Sequence, residues 1–235
     1  MIRLLVRFLN WISRLVFVQP HVEPVYEEHI GFVGRKRALL DDLLPLWHER
    51  IQEKLDECLY NERLYWLKLK PVERVGGVGL FNGPLLVMPR GTVFGYYGGF
   101  LVKHDGMETG AYDLSVDLTC DFSRASQDHS IEAYVNGDPL LIRQHILATR
   151  INHSCRPNCE ANYRNYVVTS RNKRLTLSFV FFEALRVIER GEELVFNYGP
   201  GYVVSRSAAI RRNAAFINCV CNGGRCYFRR VMLTE

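Results

Sequence analysis

The chain has 235 residues, 48% of them hydrophobic, which is enough for one well-buried domain with a modest appendage and too little for two full domains. Its 30 basic and 25 acidic residues give a net charge of +5 without the long like-charge blocks of a nucleic-acid-binding tail, so contact with DNA or a nucleosome is permitted but not required. The seven cysteines are an odd number, and four of them have a spacing that suits a metal better than a secreted disulfide scaffold (Cys155, Cys219, Cys221 and Cys226). We therefore expect a reducing intracellular compartment.

The first eighteen residues are apolar, carry only arginines as charged residues and contain no acidic residue. A membrane span needs about 20 apolar residues, and a cleavable signal needs a small-residue cleavage site that residues 17–20 do not offer. Three interpretations remain: a helix docked on the domain or on a partner subunit, an interfacial amphipathic helix, and a mitochondrial presequence.

Residues 1–70 are expected to form a helical N-terminal segment. Residues 19–34, with two prolines and two glycines, predict a linker. An apolar stripe typical of an amphipathic helix follows, at Leu40, Leu43, Leu44, Trp47, Ile51, Leu55 and Leu59. Pro45 should kink this helix or mark the start of a new one. No catalytic pattern accompanies the stripe, which therefore indicates core packing.

Residues 71–199 are expected to form a mainly β domain. Short runs of Val, Phe, Tyr and Leu separated by glycines predict strands and turns after Pro71. A polar insert at about 103–138 interrupts them, and a helical pattern follows through Leu140, Leu141, His145 and Ile146. Further strands are predicted at 166–169 and 175–182.

Two motifs in this domain combine groups that carry chemistry. Residues 150–158, Arg-Ile-Asn-His-Ser-Cys-Arg-Pro-Asn, place the amide of Asn152, the imidazole of His153 and the thiol of Cys155 within four positions. Some forty residues later, residues 188–199 read Ile-Glu-Arg-Gly-Glu-Glu-Leu-Val-Phe-Asn-Tyr-Gly, a turn that leads into a strand. A lone histidine or cysteine is usually structural, but this combination weakens that interpretation.

The two motifs, in this order, resemble the signature motifs of the SET-domain lysine methyltransferases. Upstream, residues 77–81 (Gly-Val-Gly-Leu-Phe) resemble the opening turn of that family, and residues 91–99 resemble its next strand. The resemblance implies a fold of short curved sheets with a threaded pseudoknot, a rare exception to the rule against threaded chains. It also implies an S-adenosylmethionine-dependent protein lysine N-methyltransferase, with a histone tail as the expected substrate and a nuclear location.

The resemblance assigns roles to individual residues. It implies that Tyr198 is the catalytic hydroxyl, that Tyr97 lines the same lysine channel, and that Phe196 gates the number of methyl groups, which favours di- or trimethylation. It places the cofactor against Gly77, Val78, Gly79, Leu80, Tyr112, Asn152 and His153, with Tyr227 or Phe228 as a stacking face for the adenine. Close backbone approach at the glycines is reasonable because glycine has no side chain.

Two positions depart from the family pattern. The arginine usually found three residues before the motif asparagine is Thr149, and the acidic residue usually found before Tyr97 is Tyr96. These departures leave open a catalytically weak SET-domain module that binds a histone or partner protein. A zinc-dependent nucleic-acid binder is a third interpretation, but the sequence lacks the basic helix or stripe that such a protein needs.

Residues 200–235 are expected to form a zinc-binding tail of the kind called post-SET. Cys219, Cys221 and Cys226 supply three thiolates, which cannot close a tetrahedral structural zinc site. The resemblance implies Cys155 as the fourth ligand of one zinc ion. The alternative is a set of free buried cysteines, and Cys120 and Cys159 are spare thiols in either case.

Overall fold

Strands are the commonest secondary structure in the computed structural model, which describes residues 25–73, 77–104, 113–121, 129–138 and 146–199. One long helix, α1 (Gly34–Leu64), and a 3₁₀ helix at Leu147–Arg150 accompany the strands in this part of the chain. The strands are β1 (Tyr26–Ile30), β2 (Lys68–Val72), β3 (Gly77–Phe81), β4 (Val93–Tyr97), β5 (Gly99–Lys103), β6 (Asp113–Asp121), β7 (His129–Asn136), β8 (Asn152–His153), β9 (Cys159–Ser170), β10 (Lys173–Ala184) and β11 (Val195–Phe196). The expected mainly β fold with a preceding helical segment is confirmed.

The main sheet has the strand order β1-β5-β7-β6-β10-β4, and β9 also pairs with β10. The β1–β5 pair is parallel, and the other pairs of this sheet are antiparallel. Two small sheets stand apart from it, the antiparallel pair β2–β3 and the parallel pair β8–β11. The β8–β11 pair joins the two signature motifs and so organises the candidate site.

The apolar stripe of α1 faces the core, as its spacing predicts. Leu40, Leu43, Trp47 and Ile51 are all fully buried. Pro45 lies on the exposed side, and the helix continues through it rather than starting again there. A missing backbone hydrogen bond costs less on the solvent side, where water replaces it, and this explains why a proline is tolerated at that position.

Two buried aromatic side chains attach this helix and β1 to the middle of β10. The indole N–H of Trp47 donates to the carbonyl oxygen of Leu177 (2.9 Å), and the hydroxyl of Tyr26 donates to that of Ser178 (2.7 Å). The two rings stack with centroids 5.0 Å apart. Both polar tips are satisfied although the rings are buried, so these contacts fix the helix against the sheet without an unpaired donor.

Two predicted irregular regions contain regular structure. The predicted linker at 19–34 includes β1, which pairs with β5 and is anchored by the buried side chains of Val25 and Tyr26. The predicted polar insert at 103–138 contributes β6 and β7, which lie inside the main sheet. Its polar residues alternate with buried ones along β6, which is the pattern of a strand with one solvated face.

The apolar segment 1–18 and most of the helical pattern at 140–146 lie outside the described residues. Within the part of the chain that the structure describes, no helix combines the length and the apolarity that a membrane crossing requires.

Candidate active site

The two motifs lie side by side in the β8–β11 pair. Asn152 is paired with Val195 and His153 with Phe196. Beyond the pair, the backbone N–H of Ser154 donates to the carbonyl oxygen of Phe196 (2.9 Å). Residues more than forty positions apart are thereby held within hydrogen-bonding distance.

The last residue of the first motif, Asn158, fastens the pair together. Its side-chain oxygen accepts the backbone N–H of Val195 (2.8 Å), and its side-chain amide donates to the carbonyl oxygen of Glu193 (2.7 Å) and to Oε1 of Glu192 (2.9 Å). The residue is only 1% exposed, so water cannot replace these bonds. Asn158 belongs to the motif, but no role was predicted for it. The sequence signal for this role is an amide in the first motif, Asn158, together with two consecutive acidic residues in the second, Glu192 and Glu193.

Glu192 links this contact to the turn that precedes β11. Its carboxylate accepts bonds from the backbone N–H of Glu189 (2.8 Å), from Asn158 and from the guanidinium of Arg186. Burial opposes ionisation of Glu192, but the bonds from Arg186 and Asn158 outweigh it and hold its pKa below the ordinary value. Glu192 is therefore a charged structural group with its oxygens occupied, which makes it a poor candidate for a general base.

Tyr198 is held at both of its ends by the first motif. Its hydroxyl donates to the carbonyl oxygen of Ile151 (2.8 Å), and its backbone N–H donates to Nδ1 of His153 (3.0 Å). Because Nδ1 accepts this bond, the neutral imidazole carries its proton on Nε2, which lies 3.4 Å from the Sγ of Cys155. Burial lowers the pKa of His153 to about 4, so the ring is neutral at physiological pH.

The ring of Tyr198 packs against other rings. The ring of Phe196 lies 4.7 Å from that of Tyr198 and 5.1 Å from that of Phe182, measured between centroids. Tyr198 lies two residues beyond the end of β11, and the short distance between the two rings shows that its side chain packs on that of Phe196. Tyr97 is buried on β4, where its ring tip packs against Gly137 next to the methyl group of Thr149. It therefore lies beside the segment that leads to Ile151.

The opening glycine turn lies against the same motif residues. The side-chain amide of Asn152 donates to the carbonyl oxygen of Val78 (3.3 Å) and to Oε1 of Glu193 (2.8 Å). A Cβ atom on Gly79 would lie 2.8 Å from that amide and 2.6 Å from that carboxylate oxygen. The fully buried Leu80 accepts the backbone N–H of Leu194 (2.8 Å). The predicted cofactor residues of β3 and β8 are thus adjacent, and a side chain at position 79 would force its neighbours to move.

The two positions that depart from the family pattern are filled by packed side chains. The hydroxyl of Thr149 donates to the carbonyl oxygen of Ile146 (2.9 Å) inside the 3₁₀ helix. The ring of Tyr96 is buried and stacks on that of Phe179 with centroids 6.2 Å apart. Both residues therefore have structural contacts of their own.

Several predicted site residues lie outside the described part of the chain: Tyr112, Tyr227, Phe228, Cys219, Cys221 and Cys226. Of the expected zinc ligands only Cys155 is described, and its side chain is half-buried beside His153. Among the described residues, no group of three or more His, Cys, Asp or Glu side chains is close enough together to hold a metal ion. The zinc site remains a prediction, since three of its four ligands are not described.

A sequence model of the SET domain matches residues 45–199. The match covers 155 of 235 residues and contains both motifs, so the chain belongs to the SET-domain family. Comparison with curated proteins gave no match. Family membership supports methyltransferase chemistry in general and binding of S-adenosylmethionine, the cofactor that SET domains typically use.

Proposed function

We propose that this protein transfers methyl groups from S-adenosylmethionine to a lysine of another protein, and that the acceptor is a histone lysine. The observation that carries the proposal is the position of the Tyr198 hydroxyl. It is fixed on the Ile151 carbonyl at the junction of the two motifs and is bordered by the ring of Phe196. A histone acceptor would imply a nuclear location and contact with nucleosomes.

The chemical demand on such a site is a neutral amine. With a reference pKa near 10.4, deprotonating lysine at pH 7 costs about 4.6 kcal/mol. An apolar channel reduces this cost because it disfavours the ammonium form, and the ring of Phe196, packed on that of Tyr198, is an apolar group beside the proposed catalytic residue. Bound S-adenosylmethionine supplies an electrophilic methyl group and a cationic sulfonium that disfavours the ammonium further.

The residues around the hydroxyl fit alignment better than proton abstraction. The Nδ1 lone pair of His153 is already used by the backbone of Tyr198, and the carboxylate of Glu192 is occupied by Arg186 and Asn158. Tyr198 commits its proton to Ile151, so towards a substrate amine its oxygen acts as a hydrogen-bond acceptor. In-line displacement mainly requires that the two reactants be aligned, and this arrangement supports that role.

We further propose that the cysteines of the tail join Cys155 around one structural zinc ion and bring Tyr227 or Phe228 towards the adenine. The half-buried thiol of Cys155, beside the cofactor residue His153, supports this. Metal analysis of the purified protein should give about one zinc per chain, and Cys221→Ser should lose it. A variant that keeps its zinc and its cofactor affinity would discard the site.

The test of the function is a peptide array that includes histone tails, reacted with labelled S-adenosylmethionine. Wild-type protein should label lysine peptides, and lysine-to-arginine copies of those peptides should stay unlabelled. Cofactor binding without transfer to any lysine peptide or histone mixture would favour the second candidate, a catalytically weak binding module. The departures at Thr149 and Tyr96 are the observations that keep that candidate in view.

A further inference from the structure

An exposed apolar surface on the β3–β4 side of the domain is not used by the proposed function. Four consecutive residues, 84–87 (Pro-Leu-Leu-Val), are all exposed, and Leu85 is 59% exposed. Trp66, 60% exposed, and Val187, 47% exposed, lie nearby. A run of three or four exposed apolar residues is a defect in a soluble domain unless it has a function. We call residues 66, 84–87 and 187 the Trp66 patch.

Hydrogen bonds show that these residues form one surface. The backbone N–H of Gly83 donates to the carbonyl oxygen of Tyr65 (2.9 Å), and a Cβ atom on Gly83 would lie 2.9 Å from that of Trp66. Met88 and Ile188 exchange two backbone hydrogen bonds of 2.9 Å each, and both of their side chains are buried. Val87 and Val187 each precede one of these buried residues, so their side chains face the opposite way, towards solvent. They are diagonal neighbours across the pair of segments.

The patch is held rigidly in its exposed conformation. The buried amide of Asn82 donates to the carbonyl oxygens of Leu86 (2.9 Å), Ile188 (3.3 Å) and Glu189 (3.0 Å). Trp66 has a φ of 48°, a left-handed conformation that is rare and costly for a bulky residue. A loop whose backbone is already fixed loses little conformational entropy when it binds a partner.

The rim of the patch is basic. Lys68 follows Trp66 by two residues, Arg90 follows Met88 by two, and Arg186 and Arg190 flank the Val187 segment. Arg186 is already paired with Glu192, and the exposed Glu189 lies in the same segment, so Lys68, Arg90 and Arg190 give the rim its net positive charge. Arginine and tryptophan are the residues most enriched at protein–protein contacts, and the arginine fork matches a carboxylate.

The positive charge of the rim favours an acidic binding partner over the basic segments of this chain. Residues 1–24 carry three arginines and one glutamate, and residues 200–235 carry six arginines and one glutamate, so both of these segments would be repelled. A second copy of the chain would bring two basic rims together. We propose that the Trp66 patch is a docking surface for an acidic segment of a partner protein that presents leucine or phenylalanine side chains.

The experiment uses the full chain and three fluorescent 14-residue peptides, each with two leucines and one phenylalanine. The other positions are mainly glutamate in the first peptide, glutamine in the second and lysine in the third. We expect the glutamate peptide to bind at least tenfold more tightly than the lysine peptide. Trp66→Ala and the double variant Leu85→Ser/Leu86→Ser should each weaken that binding at least tenfold. The double variant Arg90→Glu/Arg190→Glu should narrow the difference between the glutamate and lysine peptides.

The matched control is Val167→Ser, which removes an exposed valine from β9 and should bind the glutamate peptide like wild type. Equal binding of the three peptides, or binding that the patch variants leave unchanged, overturns the proposal. A dimer seen by sedimentation that Leu85→Ser/Leu86→Ser abolishes would also overturn it. So would binding to phosphatidylserine vesicles that is tighter than binding to the glutamate peptide and is weakened by the patch variants. None of these measurements needs methyl transfer, so the result is independent of the proposed enzymatic activity.

Discussion

The hydroxyl of Tyr198 donates a 2.8 Å hydrogen bond to the main-chain carbonyl oxygen of Ile151. The same residue is held at its backbone by Nδ1 of His153, so a residue of the second motif depends on the first motif at both of its ends. Its position is therefore a property of the β8–β11 pair rather than of the chain terminus that follows it. A hydroxyl bound in this way is directed by main-chain geometry and does not need an acidic or basic side chain to orient it.

Replacing Tyr198 with phenylalanine should lower methyl transfer by roughly 100-fold or more while the fold survives, because the ring remains and one positioned hydroxyl is lost. Loss of the bond to Ile151 should cost about 1 kcal/mol of unfolding free energy. Radiolabelled transfer and urea unfolding measure these two quantities, and calorimetry should show little change in cofactor affinity. Tyr166→Phe on β9 is the matched control, and equal turnover in Tyr198→Phe and wild type would refute the assignment.

The residues of the site are easier to predict from the sequence than the contacts that hold them. Tyr198, His153 and Asn152 stand in contiguous motifs and could be read from the chain. The partner of Tyr198 is the carbonyl of Ile151, and a carbonyl is present at every position, so no residue type marks it. Strand β1 was missed for a related reason: its place depends on pairing with β5, some seventy residues away, and not on a pattern of its own.

Replacing Asn158 with alanine should lower the unfolding free energy by roughly 2–4 kcal/mol, because it removes three side-chain hydrogen bonds and leaves the buried N–H of Val195 without an acceptor. Urea unfolding followed by tryptophan fluorescence gives the value. Asn172→Ala in the exposed β9–β10 turn is the control and should stay within about 0.5 kcal/mol of wild type. Similar losses in the two variants would show that Asn158 does not fasten the motifs.

Replacing Gly79 with alanine should weaken S-adenosylmethionine binding and cost about 1–3 kcal/mol of stability, because the added methyl group would displace the bond between Asn152 and Glu193. Gly77→Ala, on the same strand, meets no atom within 4 Å and should cost under about 0.5 kcal/mol. Calorimetry and urea unfolding test the pair. If alanine is tolerated equally at both positions, the close packing at Gly79 has no energetic consequence.

His48 should make the protein less stable as the pH falls. Burial lowers the pKa of His48 in the folded protein to about 4, whereas an unfolded chain has an ordinary value near 6.5. Between these values the unfolded state binds a proton that the folded state does not, so the unfolding free energy decreases as the pH is lowered through this window, by at most about 3 kcal/mol. His48→Gln should remove this part of the pH dependence in urea unfolding between pH 7 and pH 4. If the unfolding free energies of wild type and His48→Gln differ by the same amount at every pH, the prediction is wrong.

The ring of Phe196 should set how many methyl groups are added. It borders the Tyr198 ring at 4.7 Å and carries no hydroxyl, so a methylated amine beside it can rotate and present its lone pair again. We therefore expect wild-type enzyme to produce di- or trimethyllysine, and Phe196→Tyr to shift the product towards monomethyllysine, because the added hydroxyl, with a water, would hold the amine after one transfer. Mass spectrometry of a reacted peptide under excess cofactor measures the distribution. A wild-type enzyme that stops at one methyl group, or a variant with an unchanged distribution, would rule out Phe196 as the gate.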